Sequence, residues 1–257
     1  MNAPEIVHER PSTLLSLTEA HRAVLELASL SFSYRHLNKM APLGDGHAVM
    51  VLPGFLGDDG YNAAMRRFLR GLNYTVYGWG LGRNLGPRNG TLEGLESRLM
   101  ELNERHSGPI SLVGHSLGGI FSRELARAFP EQVRQVISLG SPFGKGRMES
   151  SVPARLFTAL NPSDDLPVDQ GIIHHAPPVP TTSIYTKGDG IVNWKTTLQH
   201  NGHDRSQNIQ VRGSHCGLTL NPVIWYLVAE RLSVHPEDWR PFQRAKWRNL
   251  FYPSAER

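Results

Sequence analysis

Cysteine is nearly missing from this chain: Cys216 is the single one in 257 residues. No internal disulfide can form, which fits a reducing compartment. No run of 18 apolar residues exists, so a membrane-spanning segment is not expected. Met1 to Ser16 has no basic stretch followed by an apolar one, so no secretory signal is read there and a cytoplasmic protein is expected. There is no strong excess of one charge. The formal net charge is +4, with the basic residues spread along the chain rather than gathered in a patch, which argues against a nucleic-acid binder. Internal repeats and low-complexity stretches are absent too.

The remainder is enough for one substantial core. At 39% hydrophobic content and this length, the chain is expected to form a single α/β domain. Residues 1–44 would be an N-terminal helical extension, 143–180 a cap insertion and 236–257 a C-terminal extension. The central feature is Val113-Gly114-His115-Ser116-Leu117-Gly118-Gly119. It joins the apolar run Ile110-Ser111-Leu112-Val113 to a helical segment beginning at Ile120. Gly-x-Ser-x-Gly between a strand and a helix is the pattern of a nucleophile elbow, a strained turn that pushes the serine hydroxyl out above a sheet. Side chains at 114 and 118 would collide across such a turn, and Gly119 lets the helix sit close to the next strand.

Around the elbow, strand and helix patterns alternate. Pro11 to Met40 reads as one or two helices, with Leu14, Leu15, Leu17, Ala20, Val24, Leu25, Leu27 and Ala28 at roughly helical spacing. The expectation is a helix packed on the body of the fold, its polar face carrying Glu19, Arg22 and Glu26. A segment touching lipid or covering the substrate entrance is the alternative, and a weak peripheral membrane contact stays open. A buried-type strand is predicted at Ala48–Leu52, and further strands at Thr75–Trp79, Ile110–Val113, Val133–Leu139, Thr182–Thr186 and Asn208–Val211. Helices are predicted at Asn62–Leu72, Thr91–His106 and Pro222–Leu232, with a further one near Val152–Leu160 in the cap. This alternation implies a mostly parallel sheet with helices on both faces.

A serine hydroxyl needs a base to take its proton and a third group to orient that base. On an elbow fold these follow in the order serine, acid, histidine, on loops at strand ends. Of twelve histidines, His215 in Gly213-Ser214-His215-Cys216-Gly217 follows the last strand. His174, His175, His200 and His203 are expected to be solvent-exposed, and His115 to be a packing or pocket residue. Asp189, between Gly188 and Gly190, follows the preceding strand and is the expected acid. Asp204 is the reserve, and Asp164, Asp165 and Asp169 fall in the cap. Two backbone N–H groups should hold the developing oxyanion, one from Leu117 after the nucleophile and one from Phe55 in the Pro53-Gly54-Phe55-Leu56 loop.

With these residues in view, the chain resembles the α/β-hydrolase superfamily, specifically bacterial lipase- and esterase-like members with a Gly-His-Ser-Leu-Gly-Gly elbow. The likeness runs from about residue 47 to 232. It departs at the oxyanion loop, where Pro53-Gly54 stands in place of His-Gly. The resemblance implies hydrolysis of a small-molecule or lipid-like carboxylic ester through an acyl-enzyme, with no cofactor, no metal and no obligate protein partner. Alternatives are a thioester, amide or peroxide substrate for the same machinery, and a non-catalytic binding protein on this fold. Halide displacement is disfavoured, because it needs a carboxylate where Ser116 stands.

Overall fold

Strand β1 (Ala48–Leu52) is five apolar residues in a row, all of them buried. A strand without polar alternation needs cover on both faces. Its side chains divide accordingly: Val49 and Val51 join one core cluster, and Ala48, Met50 and Leu52 the other. The computed structural model describes residues 9–88, 90–147, 151–162, 173–200, 202–243 and 250–253. Among these residues, six strands form one sheet in the spatial order β2-β1-β3-β4-β5-β6. The others are β2 (Thr75–Gly78), β3 (Ile110–His115), β4 (Val133–Leu139), β5 (Thr181–Thr186) and β6 (Ser206–Val211). Every neighbouring pair is parallel, so all carboxyl ends open on one edge.

Helices α2 (Ala63–Gly71) and α6 (Pro222–Ser233) cover one face, helices α3 (Thr91–His106) and α4 (Leu117–Ala128) the other. On the first face the Phe68 and Trp225 rings pack with centroids 4.9 Å apart, and Tyr34 meets both edge-on. On the second, Leu95, Leu99 and Leu102 of α3 and Ile120 and Phe121 of α4 fill the core. Burying each such side chain is worth about 1.5–3 kcal/mol. The strands and helices lie where the hydrophobic pattern predicts them, and α3 and β4 have the predicted bounds.

The segment after β4 carries a short helix, α5 (Ala154–Leu160). Asp164, Asp165 and Asp169 lie outside the described residues. Beyond them the chain is anchored by Arg123 of α4. This buried guanidinium donates to Gln199 Oε1 at 2.9 Å and to the His175 carbonyl at 2.5 Å, and lies 3.7 Å from the Phe143 ring centre.

The N-terminal segment is a single helix, α1 (Thr13–Met40), capped by the Ser12 side chain. Its facing corrects the expectation. Glu19, Ala23, Leu30 and Leu37 are buried, while Leu14, Leu17, Val24, Leu25 and Leu27 are exposed. The reason lies below the helix: it crosses the loops leaving β5 and β6, where bare backbone N–H and C=O groups need polar partners. Hydrophobic periodicity gives a helix its phase but does not say which surface it meets.

Candidate active site

The turn from β3 into α4 is as tight as its glycines require. A Cβ on Gly114 would run into Gly118 and Gly119, and one on Gly118 would stand 2.5 Å from the Leu52 carbonyl oxygen and 2.6 Å from that of Pro53. Ser116, at the turn's apex, has φ 51° and ψ −118°, a conformation costly for a residue with a Cβ. Its N–H continues the sheet ladder to the Leu139 carbonyl at 2.8 Å, so the strain is held by regular structure on the strand side. The hydroxyl faces a cavity of about 330 Å³ that is also lined by Gly54, Tyr61, His115 and His215.

His215 and Asp189 meet on the loops after β6 and β5. Asp189 Oδ2 lies 2.6 Å from His215 Nδ1, and both side chains are buried. The other carboxylate oxygen accepts the N–H groups of Ile191 at 2.9 Å and Val192 at 2.8 Å, which locks the carboxylate plane. Burial pulls the imidazole's affinity for its proton down. The Asp189 charge and hydrogen bond, with the Glu19 charge behind them, outweigh it, and the net shift is upward. Asp189 therefore favours a proton on Nδ1 and leaves Nε2 toward the cavity. Ser116 Oγ makes no hydrogen bond among the described residues; in unliganded sites such contacts are often loose and tighten with substrate.

Both loops are gripped from α1. Glu19 Oε1 accepts the Cys216 N–H at 2.8 Å, and Oε2 accepts the Gly190 N–H at 3.0 Å and Arg22 Nη2 at 2.8 Å. Arg22 in turn donates to the Gly188 carbonyl at 2.6 Å. Glu26 receives Ser214 twice, through its N–H at 2.7 Å and its hydroxyl at 3.0 Å. One helical face, at positions 19, 22 and 26, thus ties the Asp189 turn to the His215 turn.

His115 supports the same loop from below. Its Nε2 donates to the His215 carbonyl at 3.0 Å, and its ring stacks against Tyr61 with centroids 5.6 Å apart. Complete burial, with His215 nearby, pushes it down to about 3, so it stays neutral. Tyr61, pushed up to about 12 by burial, donates to the Cys216 carbonyl at 2.9 Å. The Cys216 thiol itself is raised to about 11, first by burial and then by the surrounding carboxylates, so it is a poor nucleophile.

Opposite the histidine, the 53–57 loop abuts the elbow: a Cβ on Gly54 would lie 3.2 Å from Ser116 Cβ. The N–H groups of Phe55 and Leu117 make no hydrogen bond among the described residues, and Leu117 opens α4, where the helix end favours negative charge. Asn84, fully buried, clamps this loop. Its side-chain amide donates to the Pro53 carbonyl at 2.8 Å, its N–H to Gly57 at 2.8 Å, and its carbonyl accepts Leu56 N–H at 2.7 Å. That clamp holds Leu56 at φ 66°, another strained position.

Of the other candidates, Asp204 is exposed in the turn that enters β6, at the opposite end of that strand from His215. His200 is exposed and His203 half-buried, with Nε2 2.8 Å from the Pro177 carbonyl. His174 is buried rather than solvent-exposed, edge-on to His175. Among the described residues, no group of three or more His, Cys, Asp or Glu side chains is placed to hold a metal ion.

No family model and no curated protein sequence matches the chain. Its structure, however, is similar to several solved ones. The structure reported for the metagenome-derived lipolytic enzymes LipS and LipT matches with a TM-score of 0.55 at 16% identity, over 75% of this chain and 94% of that one. Aspergillus fumigatus lipase B matches with a TM-score of 0.54 at 16% identity; 74% of this chain is covered but only 53% of the fungal one, about half its length. Mouse alpha/beta hydrolase domain-containing protein 10 gives 0.51 at 18% identity, over 71% and 86% of the two chains. The chain has the α/β-hydrolase fold. In this hydrolase fold the elbow follows β3 and the two loops gripped by α1 follow β5 and β6, all on the carboxyl edge of the sheet. No helix among the described residues is long and apolar enough to cross a membrane.

The α1 grip yields a measurable expectation. Gln in place of Glu19 removes a charge that favours protonated His215, and its amide can offer an acceptor to only one of the two N–H groups. The acid limb of the pH–kcat/KM profile should therefore move to lower pH in Glu19→Gln, with a fall in kcat. A packing defect alone would lower activity without moving the limb.

Proposed function

We propose that the protein is a serine hydrolase that cleaves carboxylic esters through an acyl-enzyme, with Ser116 as nucleophile, His215 as base and Asp189 as its orienting acid. The observation that carries this reading is the 2.6 Å contact of Asp189 with His215 beside a strained, cavity-facing Ser116. His215 Nε2 takes the proton from Ser116 Oγ as it attacks the ester carbonyl. The Leu117 and Phe55 N–H groups hold the oxyanion, a contribution typically worth about 3–4 kcal/mol per donor. His215 then returns the proton to the leaving alcohol, and water repeats the sequence to free the acid. Asp189 keeps the proton on Nδ1 throughout.

The same roles divide the cavity. The leaving oxygen must lie beside the group that protonates it, so the alcohol occupies the 330 Å³ space lined by His215, Cys216 and Tyr61. The acyl chain then enters the apolar cleft of about 60 Å³ between Leu117, Ile120, Phe157 and Val192. The cleft has roughly a fifth of the volume on the histidine side, so a short acyl chain fits it best. With p-nitrophenyl esters of increasing acyl length, kcat/KM should be greatest for short chains and fall about tenfold or more once the cleft is full. Equal or better hydrolysis of palmitoyl esters would defeat this assignment. Thioesters and amides remain chemically open to the same three residues, and no particular contact favours them.

A further inference from the structure

Seven of the fourteen large apolar side chains exposed among the described residues stand on α1: Leu14, Leu17, Val24, Leu25, Leu27, Phe32 and Met40. Phe32 is 92% exposed, Leu17 74% and Leu14 71%. At helical spacing, Leu14, Leu17, Val24, Leu25, Ala28 and Phe32 share one face, about 27 Å from first to last, interrupted by the exposed His21. Its two carboxylates, Glu19 and Glu26, point the other way, into the loops of Asp189 and His215. The same outward face continues past Phe32 with Arg35 and Lys39, both exposed. An apolar stripe this long on a soluble surface marks an interaction site.

The charge on that face selects the occupant. We propose that the outer face of α1 docks on a lipid surface bearing anionic headgroups, with the stripe in the acyl boundary and Arg35 and Lys39 among the headgroups. A helix lying in an interface needs this combination of an apolar face and flanking cations. A second copy of this chain, paired through the same face, would offer Arg35 and Lys39 no carboxylate, because α1 spends both of its own inward. The proposal stands apart from the reaction assigned above: binding is read without turnover.

The test is flotation of the full chain with vesicles of phosphatidylcholine alone and of phosphatidylcholine mixed with phosphatidylglycerol. Binding should be strong to the mixed vesicles, weak to the neutral ones, and reduced by salt. Leu17→Asp combined with Phe32→Asp should abolish it, and Arg35→Glu combined with Lys39→Glu should weaken it about tenfold or more. In both variants the melting temperature and the hydrolysis of a soluble short ester should match the wild type. The proposal is overturned if the wild type fails to float with the mixed vesicles, or if neither double variant loses binding. It is equally overturned if sedimentation shows a dimer that Leu17→Asp with Phe32→Asp dissociates while vesicles do not bind; the face would then belong to a second copy.

Discussion

Replacing Ser116 with alanine should lower kcat by about a millionfold, and replacing His215 with alanine should cost about the same. The double variant should be little worse than either. Without His215 nothing takes the hydroxyl proton, and without the hydroxyl the imidazole has nothing to activate, so each substitution removes the whole nucleophilic step. Residual hydrolysis of about a thousandfold over water should persist in all three variants through the Leu117 and Phe55 N–H groups and substrate binding. Steady-state turnover of p-nitrophenyl acetate measures the loss, and a fluorophosphonate probe reports the nucleophile directly. Wild type should be labelled at Ser116 and Ser116→Ala should not. Equal labelling of both would falsify the nucleophile assignment, and no labelling of wild type would favour a binding protein on this fold.

Asparagine at Asp189 should lower kcat by about ten-thousandfold with little change in stability. The size follows from the two sides of this carboxylate. Oδ1 accepts the Ile191 and Val192 N–H groups, and an asparagine keeps those bonds only by placing its carbonyl oxygen there. Its amide nitrogen then faces His215 Nδ1, which must become an acceptor. The proton moves to Nε2, the atom that should receive the serine's proton, and the base is lost with the geometry intact. Asp204→Asn is the control: Asp204 is exposed at the far end of β6, so kcat should stay near wild type. A harmless Asp189→Asn beside a crippling Asp204→Asn would transfer the acid's role.

The correct strands could be read from the chain because their information is local. Five buried residues in succession at Ala48–Leu52, or a glycine two places either side of Ser116, encode a backbone path within a few residues. Asp189 stands at a strand end between two glycines, so its place in the chain order is also a local pattern. The contacts that surround these groups are not local. Glu19 reaches Gly190 and Cys216 across 171 and 197 residues of chain, and no spacing rule links them. Asn84 has the same character: an asparagine in a glycine-rich loop looks like any turn residue until Pro53, Leu56 and Gly57 are brought against it.

The inverted facing of α1 shows the division most clearly. By itself the sequence determined that residues around 13–40 are helical and that the Ser116 elbow, the Asp189 turn and the His215 turn occur in that order along alternating strands and helices. Only the tertiary structure decided that Glu19, Arg22 and Glu26 of that helix turn inward and Leu14, Leu17, Leu25 and Leu27 outward. Propensity and periodicity act between residues a turn apart, whereas burial depends on what lies beneath. Here that is a pair of loop ends whose unpaired N–H and C=O groups are met by Glu19, Arg22 and Glu26 rather than by apolar side chains.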